Sequence, residues 1–142
     1  MDVIEIQRRV QNAWTRQRWD DWRRTCADRY RFHLTPTIEL DLEQTLAWSR
    51  GWFAAFPDYR EQITALYRSD DTAVAYEIVG AGTSSADLHL GGRKLIPHSP
   101  GATFEVRYMK VLVLDGDGRV LKDRQYLDTQ TLQSQLTATH RA

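Results

Sequence analysis

The chain has 142 residues, 42% hydrophobic and 11% aromatic, and its 19 basic and 19 acidic side chains cancel to a net charge of zero. That length suits one domain, residues 1–142, which can bury a sizeable core without a metal or disulfide. The balance argues against nucleic acid or an anionic membrane as partner, no apolar run approaches the roughly 18 residues of a membrane span, and the lone Cys26 leaves no intramolecular disulfide, which points to a reducing, cytoplasmic setting.

In chain order, Val3, Ile6, Val10, Ala13 and Trp14 recur at helical spacing and predict an amphipathic helix over 3–18. Asp20 or Asp21 caps a short second helix through about Cys26. Arginines outnumber acids in this first part, but most sit beside acids on helical segments, a solvated face. Tyr30 to Leu34 and Thr37 to Leu40 alternate as two short strands around Pro36, with His33 pointing opposite to Phe32. Asp41 with Gln44 reads as a capping box for a third helix running to Phe56, where Pro57 stops it. The period then changes to two: Tyr59 to Ser69, a turn at Asp70-Asp71, Thr72 to about Gly82, then Thr103 to Leu114 and Arg119 to about Leu127 around the turn Asp115-Gly116-Asp117-Gly118. Residues 83–101 form a segment long enough to be a lid, in which Asp87 to Leu90 extends the preceding strand and Gly91-Gly92 is a turn. A short helix, Thr129 to Leu136, follows an N-cap at Asp128.

Helices followed by long antiparallel strands predict an α+β fold, a curved sheet forming a cone or barrel with three helices over its concave face and a short C-terminal helix. All five tryptophans fall in the helical first part, so the interior is expected to be aromatic-walled, with Trp14, Tyr30, Trp52, Phe53 and Phe56 as wall residues. Period-two geometry puts Asp123 and Gln125 on one face of the last strand, and Tyr108 and Lys110 on one face of its partner. Proton abstraction beside a carbonyl needs a base with its pKa lifted by burial and donors to hold the enolate. Asp123 is the candidate base, Tyr108 and Lys110 are candidate donors, His33 is a reserve acid or base, and His98 is a loop group able to swing over a ligand. His33, His89 and His98 lack metal-ligand spacing, and Ser84 and Ser85 lack a nucleophile elbow, so no metal site or serine hydrolase is expected.

The order of elements and several strings resemble the SnoaL-like polyketide cyclases of the nuclear-transport-factor-two-like superfamily. These strings are Gly51-Trp-Phe-Ala-Ala-Phe-Pro-Asp-Tyr-Arg60, Gly82-Thr83, Ile96-Pro97 with Gly101 beyond, and Asp117-Gly-Arg-Val through Tyr126-Leu-Asp128 to Gln135-Leu136. The resemblance covers nearly the whole chain. It implies a cone with a mostly apolar pocket, an apolar or aromatic small-molecule substrate, no cofactor, a homodimer or homotetramer, and acid/base ring closure or isomerisation in secondary metabolism. In the typical aldol cyclases the strand after the Asp-Gly turn carries a histidine and, two residues later, the catalytic aspartate. The matching positions here hold Asp123 and Gln125, so the carboxylate is displaced by one alternation, and Gln125 is implied as a pocket residue that orients a carbonyl. Ser84 stands where the family often has a histidine, and the longer loop before the 103 strand brings Arg93, Lys94 and His98 toward the mouth. Two alternatives share the fold: a non-catalytic binding or partner domain, and a hydrating, dehydrating or epoxide-opening enzyme using Asp123 with Arg107 or Arg124 and a positioned water.

Overall fold

A computed structural model describes residues 2–141, with side chains through Thr137. Helix α1 (Val3–Thr15) starts at Asp2, whose carboxylate accepts from the Ile4 N–H, and buries Val3, Gln7, Val10 and Ala13. It stops three residues short of the expected end. Gln17 takes a left-handed φ of 56°, the Gln17 N–H returns to the Trp14 carbonyl and the Arg18 N–H to that of Ala13, a Schellman closure with glutamine in the usual glycine position. The chain re-enters a helix at once, so α2 (Trp19–Arg24) has Arg18 at its N-cap without a side-chain hydrogen bond, and Asp20 and Asp21 lie in its first turn rather than capping it. Cys26 opens β1 (Cys26–Thr35), which turns back through β2 (Ile38–Leu40).

The capping box predicted for α3 (Leu42–Ala55) is present: Asp41 accepts from the Gln44 N–H at 2.9 Å and Gln44 accepts from the Asp41 N–H at 2.9 Å. The strands β3 (Arg60–Asp70), β4 (Ala73–Thr83), β7 (Thr103–Leu114) and β8 (Val120–Tyr126) form an antiparallel run. The full sheet order is β2-β1-β8-β7-β4-β3, and β1 lies parallel to β8, a pairing the sequence did not announce. Helix α4 (Thr129–Arg141) starts at Asp128, whose carboxylate accepts from the backbone of Gln130 and Thr131.

Residues 83–101 depart from expectation. Leu88–Leu90 (β5) does not extend β4; it pairs with Arg93–Ile96 (β6) in a separate two-stranded sheet turned by Gly91 at φ 59°. This hairpin packs on α3, where a Cβ on Gly51 would lie 3.8 Å from the His89 carbonyl oxygen. Ser84 is buried there as a loop clasp, its N–H on the Ala102 carbonyl and its Oγ accepting from the Ser99 N–H.

The alternation of β4 explains the core. Val74, Tyr76 and Ile78 are buried on the concave face, while Ala73, Ala75, Glu77 and Val79 are half-exposed on the convex one. Against that concave face, Trp52 of α3 forms an aromatic hub with Trp48, Phe56, Tyr59 and Phe104 at centroid separations of 4.8–6.0 Å. Among the described residues no helix is long and apolar enough to cross a membrane.

Candidate active site

Three neighbouring strands set the first charged centre. In β7 and β8, Lys110 stands opposite Gln125 and Leu112 opposite Asp123, so Lys110 and Asp123 are diagonal neighbours on the concave face. The parallel strand β1 sets Phe32 beside Asp123, bringing Phe32 and Tyr30 onto the same face. Lys110 Nζ lies 3.0 Å from Asp123 Oδ2 and 5.3 Å from the Phe32 ring centroid, and the Tyr30 hydroxyl donates to Oδ2 at 3.4 Å.

The pair is secluded, with side-chain exposures of 20% for Lys110 and 6% for Asp123. Burial alone would lower the Lys110 pKa; the Asp123 charge, with smaller help from Tyr76 and Glu61, outweighs it and raises the value above the ordinary lysine range. Tyr30 is pushed well above a free phenol, by burial first and then by the Asp123 charge. Asp123 Oδ1 is different: it is buried and has no hydrogen-bond partner among the described residues. A carboxylate with one oxygen held by a cation and the other free is equipped to accept a proton at the free oxygen.

A second centre faces the same cavity, and sequence reasoning missed it. Glu61, near the start of β3, receives the Tyr108 hydroxyl at 2.6 Å and the Tyr59 hydroxyl at 2.7 Å on Oε2, while Gln11 of α1 donates to Oε1 at 2.6 Å. Three donors occupy both of its oxygens, whereas Asp123 Oδ1 has no partner among the described residues. Tyr108 and Tyr59 are both held well above the phenol range, by burial first and then by the Glu61 charge. Gly80 of β4 makes room for this cluster: a Cβ there would sit 2.2 Å from the Tyr59 hydroxyl oxygen. The signal for Glu61 was its place between Tyr59 and Ile63, an acid in step with two inward apolar side chains.

Both centres line a cavity of about 40 Å³ that also touches Trp14, Trp48, Tyr76 and Gln125. A smaller chamber of about 20 Å³ adjoins it, sharing Trp14, Trp48, Tyr108 and Gln125 and adding Trp52 and Tyr59. Of the expected residues, Asp123, Gln125, Tyr108, Lys110, Trp14 and Tyr30 therefore come together at one cavity, with Trp52 in its annex. Gln125 donates to the Leu34 carbonyl at a long 3.5 Å.

Other expected residues lie elsewhere. Phe53 and Phe56 are buried in the aromatic core and line neither chamber. His33 takes the opposite face from Phe32 and lies 3.7 Å from Glu39 of β2, outside the cavity. His98 sits in the loop over the β5–β6 hairpin, its backbone N–H on Asp87, and Lys94 pairs with the same carboxylate at 3.4 Å. Arg107 and Arg124 alternate out of phase with Tyr108 and Asp123 and belong to the convex face, so neither partners Asp123; Lys110 has that role. Among the described residues no group of three His, Cys, Asp or Glu side chains is arranged to hold a metal.

The family model for SnoaL-like polyketide cyclases matches residues 4–136. The chain belongs to this family. Among solved structures, the fold is similar to that of a candidate SnoaL-like polyketide cyclase from Jannaschia sp. CCS1, at 22% identity over 96% of this chain and 92% of that one, with a TM-score of 0.79. IdmH, a candidate polyketide cyclase from Streptomyces antibioticus, is 20% identical over 100% of both chains with a TM-score of 0.76. An LEH-like epoxide hydrolase from M. tuberculosis is similar at 16% identity over 96% of this chain and 90% of that one, with a TM-score of 0.70. No curated protein matches the chain by sequence. The SnoaL-like fold thus spans neighbours named for different chemistries, and the reaction has to be argued from the cavity.

Proposed function

We propose that this SnoaL-like protein is an acid/base enzyme that uses its own side chains to remove a proton beside a carbonyl of an apolar or aromatic, polyketide-derived small molecule. The outcome is ring closure or isomerisation in secondary metabolism. The observation that carries the reading is the Asp123 oxygen without a partner among the described residues, in a buried ion pair with Lys110. Asp123 Oδ1 takes the proton and the C–H electron pair enters the enolate. The Lys110 ammonium balances the charge that moves onto the enolate oxygen, and the Gln125 amide on the same face orients the carbonyl. Ring closure follows when the enolate carbon attacks a second carbonyl and the resulting alkoxide collects the proton from Asp123. Tyr108, its proton committed to Glu61, orients rather than protonates. This distribution differs from the family's typical one, because the carboxylate is two residues earlier and its partner is a lysine from the neighbouring strand.

One observation favours a second reading. The 40 Å³ chamber beside Asp123 has room for roughly three water molecules, and a water polarised by Asp123 is the nucleophile an epoxide-opening enzyme needs. A probe ketone separates the two. The wild-type protein should accelerate exchange of the α-hydrogens of 2-tetralone in deuterium oxide, followed by proton NMR, and Asp123→Asn should lower that rate by about 10²–10⁴-fold while the circular dichroism spectrum stays the same. An unchanged exchange rate sinks Asp123 as the carbon base. Hydrolysis of cyclohexene oxide without ketone exchange would move the assignment to water addition.

A further inference from the structure

The arginines of the first part of the chain do not all pair with neighbouring acids. Among the described residues the side chains of Arg9, Arg18 and Arg119 form no ion pair, and all three residues are exposed. With Arg24 they line one open cleft of about 550 Å³. Helical spacing sets Ile6, Arg9 and Ala13 on one stripe of α1. The left-handed turn at Gln17 then carries Arg18 back beside that stripe, its N–H on the Ala13 carbonyl at 2.9 Å. Arg119 comes from the β7–β8 turn, which is held rigidly. The Asp115 carboxylate accepts from the N–H groups of Asp117 and Arg119 at 2.9 and 3.0 Å, and the Val120 N–H ties the turn to the Thr25 carbonyl at 2.8 Å. Main-chain bonds therefore preform the cleft without help from its charges. It shares no lining residue with the cavity that holds Asp123.

The charges in the cleft are unbalanced. Four guanidiniums face two carboxylates, of which Asp21 is already held by Arg24 at 2.6 Å while Asp117 has no ion pair among the described residues. Like charges gathered in one cleft repel one another, and an anion seated among them relieves that repulsion. We propose that this cleft binds the phosphate or diphosphate group of an organic small molecule, at a site separate from the reaction cavity. A tetrahedral oxyanion presents its oxygens in several directions, so it can meet forked donors from α1, from the α1–α2 turn and from the β7–β8 turn together. A planar carboxylate meets fewer of them. Ile6 and Ala13 add apolar surface to the lining, and a bare phosphate would fill only a small part of the volume, so the organic portion of the ligand has a place beside the anion. Asp117 opposes the anion and limits its affinity.

The probes are inorganic phosphate, pyrophosphate and phenyl phosphate, titrated at pH 8 and low salt into the full-length ¹⁵N-labelled protein and followed by its amide resonances. Saturable shifts should centre on residues 9–13, 18 and 117–119 and leave the β5–β6 hairpin unmoved. Phenyl phosphate should bind at least about threefold more tightly than inorganic phosphate, through the apolar part of the lining. The double variant Arg9→Gln with Arg119→Gln should weaken pyrophosphate about tenfold or more, the loss expected of two charge-assisted contacts. Arg50→Gln with Arg60→Gln removes the same charge from exposed arginines outside the cleft and should cost less than about twofold. Asp117→Asn should tighten binding. Shifts spread over the whole basic surface, equal losses in the two double variants, or inorganic phosphate bound as tightly as phenyl phosphate would overturn the proposal. So would an oligo-aspartate peptide that binds where none of the phosphates does, which would reassign the cleft to an acidic protein segment.

Discussion

Replacing Lys110 by methionine keeps a long unbranched side chain and deletes its charge, leaving the Asp123 carboxylate buried with the Tyr30 hydroxyl at 3.4 Å as its remaining donor. Removing one partner of a fully buried ion pair costs about 3–5 kcal/mol; because Lys110 keeps 20% of its side-chain exposure, the lower end, about 3 kcal/mol, is expected. That is a large share of the roughly 5–15 kcal/mol that holds a domain of this size together, yet it leaves the protein folded. Asp123→Asn strands the lysine instead, whose stem can reach toward water, so its cost should be smaller, about 1–2 kcal/mol. The double variant carries neither charge and should lie within about 1 kcal/mol of wild type, since a buried pair exchanged for neutral groups is often nearly neutral in stability. Urea unfolding of the four proteins at pH 7, with equal m-values, measures the cycle. A Lys110→Met deficit below 1 kcal/mol at pH 7, or a double variant as unstable as the sum of the singles, would refute the buried pair as the organising charge of the cavity.

Gly80→Ala should destabilise by about 1–3 kcal/mol, because the new methyl lies 2.2 Å from the Tyr59 hydroxyl that serves Glu61 and Tyr108. In a Tyr59→Phe background the same substitution should cost less, and strictly additive denaturation energies would show that the phenol is not what Gly80 accommodates. The Cys26 thiol is pushed up to about 12, chiefly by burial, from an ordinary 9.0. Iodoacetamide at pH 8.5 should therefore label Cys26 only in urea, and labelling of the folded protein at the rate of a free thiol would contradict its seclusion. The sign for stability follows from the same shift: the unfolded chain releases this proton first, so the contribution of Cys26 is intact below about pH 9 and declines toward pH 12, and Cys26→Ala should flatten that alkaline decline.

Much of the fold was legible because its signals are local. The Asp41–Gln44 box, the Asp128 cap and the Asp-Gly turns each act within a few residues, and period-two alternation correctly set Tyr108 with Lys110 and Asp123 with Gln125. What escaped depends on which strands meet. Alternation put His33 opposite to Phe32, but only the parallel pairing of β1 with β8, Phe32 beside Asp123, decides that Phe32 faces the cavity and His33 does not. The same pairing brings Tyr30 to the aspartate from 93 positions away in the chain. Helix α1 ran short because a glutamine adopted the left-handed turn that glycine normally marks.

Glu61 is the instructive omission. Arg60-Glu-Gln62 reads as an ordinary polar strand entry, and nothing within it says that the acid is met by two phenols and an amide from β7, the β3 approach and α1. Tyr59 is only two residues away, but Tyr108 arrives from 47 residues ahead and Gln11 from 50 behind, so the sequence could offer only parity. With both carboxylates located, the division of labour follows from counting donors. Three hydrogen bonds on Glu61 fix the phenols and the amide around it, whereas Asp123 has a cation and a distant phenol on one oxygen and, among the described residues, nothing on the other. Both oxygens of Glu61 already accept hydrogen bonds from the protein, whereas Asp123 Oδ1 accepts none from the described residues and is the oxygen left open to a substrate proton. That asymmetry, more than the family position now held by Gln125, is the physical reason to look for the base at residue 123.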